Sequence, residues 1–365
     1  MSKSPTKNTH TDLLETLLKE PEYAIEKLDL VYLDRDQLAI ERQRKKDVFQ
    51  YIYRGKKLDT PDQIKRIEAL VIPPAWQNVK IAHIPNGHLQ AVGKDVRKRT
   101  QYRYHPFWTK VRNQTKFYKM ARFGEQLPTI RKQVEQDLEL EGWPRAKVMA
   151  LIIRLMEETH IRIGNEQYAK KNKTYGLSTL RSKHLTIVQD KLRFEFVGKR
   201  GKEHRITLKN KKLIQLVNKC EEIPGWELFK FYDKEGNKRS VDSSMVNDYI
   251  HEHCGELFTA KDFRTWAATI VFFEHLMDLP TPKSEKEIQS HLLSAFDAAA
   301  FALGNTRNVC RKYYVHPLLV QQYENQSLEE GFKKVEQLTD SHPFYTKTER
   351  ILLKLLQNYT PVWAH

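Results

Sequence analysis

Two adjacent tyrosines, Tyr313 and Tyr314, lie in the string LGNTRNVCRKYYVHP that begins at Leu303. Three other strings carry cations in equally distinctive surroundings: IRIGNEQYAKKNKTYGLSTL from Ile161, FVGKRGKEH from Phe196 and KDFRTWAAT from Lys261. A tyrosine hydroxyl can serve as a covalent nucleophile, although an ordinary pKa of about 10 leaves roughly one molecule in a thousand ionised at pH 7. Arginine stays charged and binds oxyanions through a planar fork. Lysine can deliver a proton to a departing oxygen. Neighbours on a helix point about 100° apart, so only one tyrosine of the pair can face a given reacting group.

The bulk charge indicates a polyanionic partner. The chain has 365 residues and a net charge of +16, with a sequence pI near 9.5. Residues 96–123 hold nine Lys or Arg and no Asp or Glu, opening with Arg97, Lys98 and Arg99. Tyr102, Tyr104, Phe107, Trp108, Phe117 and Tyr118 are interleaved with them. Cations can neutralise phosphates while aromatics meet sugars and base edges, so this stretch is expected to face DNA. Competing chemistries find little support. No apolar run of about 18 residues suggests a membrane span, and the N-terminus lacks a secretory apolar stretch. Cys220, Cys254 and Cys310 are odd in number and widely spaced, as in a reducing, cytoplasmic compartment. His251-Glu252-His253-Cys254 reads as a solvated helix end, since residues i and i+2 do not share a helix face. The GxxxxGK[ST] spacing of a phosphate loop is absent around Lys199, and carboxylates do not cluster at metal-binding spacings.

The four strings, in this order from Ile161 to Pro317, resemble the bacterial and poxvirus type IB DNA topoisomerases. QYRYHP at Gln101 extends the resemblance toward the N-terminus. It implies an enzyme that nicks one strand of duplex DNA through a 3′-phosphotyrosyl bond and reseals it, without metal, ATP or other cofactor. It implies that Arg162 and Arg264 clamp the scissile phosphate and that Lys199 is the general acid, with Lys202 close by. The family places its nucleophile nine residues after a phosphate-binding His or Asn; Asn305 plus nine is Tyr314. Asn305 is the bacterial-like choice, an amide able to donate but not to carry charge. Gln101, Tyr102 and Tyr104 match positions that contact DNA in the family. A monomer encircling duplex DNA in a bacterial nucleoid is the implied setting. Tyrosine recombinases use a similar residue set, but they usually have His where this chain has Lys261 and His or Trp where it has Asn305. A non-catalytic DNA-binding protein on the same fold is expected to have lost a tyrosine, lysine or arginine that this chain keeps.

These residues need elements to hold them. The expected fold is α+β: a polar tail over residues 1–20, a β-rich DNA-binding domain over 21–110, and a mainly helical catalytic domain with a small antiparallel sheet over 111–365. In the first domain LVYLD at residues 30–34, QAVG and QYRYH read as strands, IPNG as a turn, and residues 60–71 as helix. The alternation in QYRYH puts Tyr102 and Tyr104 on one face. Helices are expected from about Thr109. Val148, Leu151, Ile152, Leu155 and Met156 follow the spacing of an amphipathic helix. Strands are expected at 184–188, 191–197 and 203–208, joined by turns at Gln189-Asp190 and at Gly198 to Gly201, which places Lys199 at a hairpin tip. His184 and His204, within these strands, read as structural. From about Lys211 the pattern is helical again. The Ala-rich stretch 284–303 ends at Gly304, a C-cap candidate, and KTERILLKLLQ reads as a last amphipathic helix.

Overall fold

The computed structural model describes residues 14, 16–20, 22, 25, 27–46, 48–188 and 191–361. The polar tail as far as residue 13 and the Gln189-Asp190 turn lie outside the described residues. The architecture is α+β, with two compact units: one holds the described residues up to Lys116 together with Pro361, and the other is Phe117–Thr360.

The first unit is built on one antiparallel sheet of order β3-β2-β1-β4-β5-β6. Its strands are β1 (Ile40–Lys45), β2 (Val48–Tyr53), β3 (Lys56–Lys57), β4 (Gln77–Ile81), β5 (Leu89–Lys94) and β6 (Thr100–Tyr104). Helix α1 (Pro61–Ala69) opens with proline in its first turn, where the missing N–H costs nothing. It buries Ile67 against Ile40, Val79, Ile81 and Ala91. Residues 30–34 are not the strand expected of them. Val31 makes an isolated bridge to Gly87, and the Leu33 N–H donates to His88 Nδ1 at 3.1 Å. This segment is tied to one loop rather than laid along a sheet edge.

Helix α2 (Pro106–Leu138) begins earlier than expected and corrects the reading of the basic stretch. Trp108 (4% exposed) and Phe117 (6% exposed) are core residues, not DNA-facing ones. Trp108 and Val111 pack with Leu28 and Leu30, whereas Phe117, Met120 and Phe123 belong to the core of the second unit. The three-residue spacing within each set puts Trp108 with Val111 on one part of the helix and Phe117, Met120 and Phe123 on another, with the cations set between them.

The second unit centres on helix α3 (Arg145–Thr159). The sequence suggested a one-sided apolar face, but Met149, Ala150 and Ile153 are buried as fully as Leu151 and Ile152, so the helix is surrounded. Helix α4 (Glu166–Asn172) follows. Strands β7 (Leu185–Val188), β8 (Lys191–Val197) and β9 (Glu203–Leu208) form an antiparallel sheet with β8 in the middle. Leu192, Phe194 and Phe196 alternate inward along β8. His184 lies just before β7 in a 3₁₀ turn, where its Nδ1 accepts the Arg181 N–H at 3.0 Å. After α5 (Lys211–Glu221) the expected helical run is interrupted by a hairpin, β10 (Lys230–Tyr232) with β11 (Lys238–Ser240).

Helices α6 (Ser243–Cys254), α7 (Ala260–Met277), α8 (Glu285–Leu303), α9 (Arg307–Tyr313), α10 (Pro317–Glu324), α11 (Glu329–Gln337) and α12 (Lys347–Gln357) complete the unit. The His251 to Cys254 cluster does end α6, although Cys254 is buried rather than solvated. Ser284 caps α8, whose C-terminus turns at Gly304 with φ 59°.

Thr346 and Glu349 form a reciprocal capping box at α12. Glu349 is 5% exposed and also accepts hydrogen bonds from Trp266 Nε1 at 3.0 Å and Arg131 Nη2 at 2.7 Å. Arg131 meets Glu157 at 2.8 Å as well. Glu349→Ala removes one of the two carboxylates paired with buried Arg131, and breaking a buried pair costs up to about 3–5 kcal/mol. The expected result is a lower urea midpoint for the variant, with cleavage by the folded fraction unchanged.

Candidate active site

The second unit brings together all five residues expected to do chemistry. Helix α3 ends at His160, whose φ of 53° turns the chain out of the helix. Ile161 is buried and Arg162 follows it, half-buried. The Arg162 carbonyl accepts the Leu177 N–H at 2.8 Å, and the Ile163 carbonyl accepts the Ser178 N–H at 2.7 Å. The two segments pass so closely that a β-carbon on Gly176 would lie 2.4 Å from the Arg162 carbonyl oxygen. The glycine of TYGLST is there for that approach.

Arg264, in the second turn of α7, is 4% exposed. Its Nη1 donates to the His160 carbonyl and its Nη2 to the Leu303 carbonyl at 2.8 Å. The guanidinium thus ties the end of α3 to the end of α8. Its Nε is buried and has no hydrogen-bond partner among the described residues. Burial and the charge of Arg162 lower its pKa from 12.5, which leaves it protonated at neutral pH.

Tyr314 follows α9, and its N–H donates to the Cys310 carbonyl at 3.0 Å. The Arg264 Cζ lies 5.8 Å from its ring centroid. Burial alone would raise the Tyr314 pKa, but Arg264, then Arg162 and Lys261, outweigh it and bring it below 10. Tyr313 is 42% exposed and its ring has Lys312, not Arg264, as its cation. Asn305 follows Gly304; its N–H donates to the Ala300 carbonyl at 2.8 Å and its Oδ1 accepts from Arg162 Nη2. Its Nδ2 is buried and also lacks a partner among the described residues.

Lys199 lies in the tight turn between β8 and β9, which Gly198 closes by donating its N–H to the Lys202 carbonyl at 2.7 Å. Partial desolvation and then Arg162 lower the Lys199 pKa from 10.5, Tyr314 opposes the shift, and Arg200 and Lys261 add to it. Five cations, Arg162, Arg264, Lys199, Arg200 and Lys261, and one phenol therefore share a single electrostatic neighbourhood. Buried N–H donors left unsatisfied are costly. An anion seated here would satisfy Arg264 Nε and Asn305 Nδ2 while offsetting the crowded positive charge.

The expected DNA-contact residues of the first unit lie on β6 and the turn before it. Tyr102 and Tyr104 share a face, with ring centroids 5.9 Å apart. The Tyr102 hydroxyl accepts from Arg35, and Arg112 lies 5.6 Å from the Tyr104 ring centroid. Asp95 organises the turn: it accepts the Arg97 and Arg99 N–H groups, pairs with the Arg99 side chain at 2.6 Å and takes a hydrogen bond from Gln101 Nε2 at 3.0 Å. The Arg99 side chain, with the Arg99 and Arg97 N–H groups, pulls the Asp95 pKa down to about 2. Lys98 holds φ 59° at the tip. Lys202 is exposed on the hairpin of the second unit.

Residues 106–340 match the family described as eukaryotic DNA topoisomerase I, catalytic core. Residues 48–95 match the bacterial DNA topoisomerase IB N-terminal domain. The chain belongs to the type IB DNA topoisomerases. It is 34% identical over 296 residues to the DNA topoisomerase 1B of Acanthamoeba polyphaga mimivirus, a match covering 79% of this chain and 88% of the viral one. The DNA topoisomerase 1B of Vaccinia virus (strain Copenhagen) is 23% identical over 244 residues, 65% of this chain and 73% of that one. The DNA topoisomerase 1 of Mycosarcoma maydis is 24% identical over 248 residues, 61% of this chain and 24% of that one.

The candidate site includes three residues to which the sequence reading gave no part. Lys261, noted there only for not being histidine, adds its charge to both Tyr314 and Lys199. Thr269 is fully buried; its hydroxyl lies 3.2 Å from the Tyr314 carbonyl and accepts the His316 N–H at 3.3 Å. The only signal for it was its place five residues after Arg264, little more than one helical turn. His204 packs between the two loops that carry Lys199 and Asn305. Among the described residues no cluster of His, Cys, Asp or Glu suits a metal ion, and no helix is long and apolar enough to cross a membrane.

Proposed function

We propose that the chain relaxes supercoiled duplex DNA by transient cleavage of one strand, with Tyr314 as the nucleophile. The observation that carries this reading is the pair of buried, unoccupied donors, Arg264 Nε and Asn305 Nδ2, beside a tyrosine whose pKa is lowered. Arg162, Arg264 and Asn305 hold the non-bridging oxygens of the scissile phosphate, whose negative charge grows in the transition state. The Tyr314 oxygen gives up its proton to solvent and attacks phosphorus. A 3′-phosphotyrosyl bond forms, the bond to the 5′-oxygen breaks, and Lys199 protonates that oxygen. Rotation of the free end releases supercoils. The 5′-hydroxyl then returns its proton, attacks phosphorus and expels the tyrosine. One ester replaces another throughout, so religation draws on the phosphotyrosyl bond instead of ATP.

The region 21–110 is assigned to DNA binding and 111–365 to catalysis, in a monomer that encircles duplex DNA in the bacterial nucleoid. Tyr102, Tyr104, Gln101 and the Arg97, Lys98 and Arg99 turn supply contacts in the first region, and Lys202 supplies one in the second. With a net charge of +16, DNA affinity is expected to fall steeply between about 50 and 200 mM salt. Fluorescence-anisotropy titration checks this, and a flat response contradicts the phosphate-dominated binding mode. The deciding experiment for the function is relaxation of positively and negatively supercoiled plasmid in EDTA without ATP, followed by a denaturing gel. Relaxation with a protein–DNA adduct supports the reading; loss of both rejects it.

A further inference from the structure

The general acid and the phosphate-binding amide come from opposite sides of the site. Lys199 is in the β8–β9 turn, whereas Asn305 follows the end of α8. Among the described residues no hydrogen bond joins the two loops directly. His204 fills the space between them. A β-carbon added at Gly198 would lie 2.6 Å from the His204 Cδ2 and Nε2 atoms. One added at Gly304 would lie 2.5 Å from its Cε1. The imidazole therefore rests on the residue immediately before Lys199 and on the residue immediately before Asn305.

Its own position is fixed from behind. His204 pairs with Phe196 across β8 and β9, and the two rings stack with centroids 5.0 Å apart and planes 15° apart. Phe196 is 7% exposed and is part of the main core. Core packing thus sets the ring, and the ring sets both loops. A side chain in this place must be flat enough to fit between two glycines and uncharged enough to lie among cations. Burial, with Arg162, Lys202 and Arg264, holds the imidazole pKa down to about 4, so it is neutral at working pH.

We infer that His204 is a positioning residue that wedges the Gly198 and Gly304 backbones apart and so holds Lys199 in register with the Arg162–Asn305 phosphate cradle. The inference rests on the assignment of Lys199 as general acid. His204 touches no reacting atom. Its contribution passes through the hairpin, and it is felt most in the step that needs the Lys199 proton. Gly198 has φ −97°, an ordinary conformation, so the need for glycine there comes from the imidazole and not from the backbone.

The test is single-turnover cleavage by full-length His204→Ala, Gly198→Ala, the double variant and Lys199→Ala. Each is run on a normal duplex and on one with a 5′-bridging phosphorothiolate, whose sulfur leaves without a proton. The expected loss for His204→Ala on the normal duplex is about 10²-fold, the lower end of a general-acid contribution, with recovery to near the wild-type rate on the phosphorothiolate. Gly198→Ala displaces the ring and gives the same pattern. In the His204→Ala background the added methyl keeps only an ordinary contact, 3.6 Å to the Lys202 carbonyl oxygen, so the double variant is no slower than His204→Ala alone. An undiminished rate for His204→Ala on the normal duplex, or an equal loss on both substrates, overturns the inference. Rescue of Lys199→Ala without rescue of His204→Ala overturns the positioning role and leaves the acid in place. Failure to rescue Lys199→Ala overturns the acid assignment, and the inference with it. Should His204→Ala not fold, Gly198→Ala read on the two substrates decides alone.

Discussion

Tyr314→Phe is expected to abolish both plasmid relaxation and the covalent protein–DNA adduct, while Tyr313→Phe keeps both. The two variants differ from wild type by one oxygen each, so a difference between them locates the nucleophile. The Tyr314 ring lies beside Arg264, and its pKa is lowered by Arg264, Arg162 and Lys261 against the effect of burial. The Tyr313 ring is 42% exposed on the next residue of the chain, beside Lys312. Since phenylalanine preserves the packing of Tyr314 against the core, Tyr314→Phe should still bind DNA with wild-type affinity. A relaxing Tyr314→Phe, or an adduct lost only in Tyr313→Phe, would falsify the assignment.

The second large effect is expected at Arg264. Removing one preorganised donor to a developing oxyanion typically costs about 10²–10³ in rate. Arg264→Ala should reach or exceed the upper end of that range, because the same guanidinium lowers the Tyr314 pKa. Without it that pKa rises, so the ascending limb of the cleavage rate against pH should move to higher pH. Arg264→Lys keeps a charge but not the fork. One ammonium cannot hold the His160 and Leu303 carbonyls and also present a third donor in the place of Nε. It should remain well below wild type, with the pH profile shifted less than in the alanine variant. Single-turnover cleavage across pH checks both. A wild-type rate for Arg264→Ala would remove this arginine from the phosphate cradle.

Much of this was legible in the sequence, for identifiable reasons. Strand β8 declares itself because its alternation survives intact, with Leu192, Phe194 and Phe196 inward. Helix α12 is readable because its apolar stripe and its Thr346–Glu349 cap agree. Strand β1 is hidden because only Ile40 of its six residues is buried, and the rest look like a charged loop. The start of α2 is masked by cations interleaved with the apolar residues it buries, which made Trp108 and Phe117 look like surface aromatics. Hairpin β10–β11 has only three residues per strand, too few to show a period.

The candidate site was legible where one string carries the chemical group and the turn that presents it, as with Lys199 between Gly198 and Gly201. Thr269 and His204 were not, because their roles depend on which distant backbone they meet. A hydroxyl buried in a helix and a histidine on a strand have the same local appearance wherever they occur.

With Tyr314 as the proposed nucleophile, its anchoring bears on which protein molecule cuts which strand. Thr269 contacts the chain just after the tyrosine side chain, through the Tyr314 carbonyl and the His316 N–H, and Thr269 is on the helix that carries Arg264. The proposed nucleophile and Arg264 are therefore tied to the same helix. A molecule so built has no slack with which to lend its tyrosine to a neighbour. Mixing inactive molecules that lack Tyr314 with others that lack Arg264 should produce no mutual rescue, even when both crowd the same plasmid. Each break is then made and mended within one polypeptide, so a strand end held by one molecule is not handed to another and ends from different duplexes stay apart.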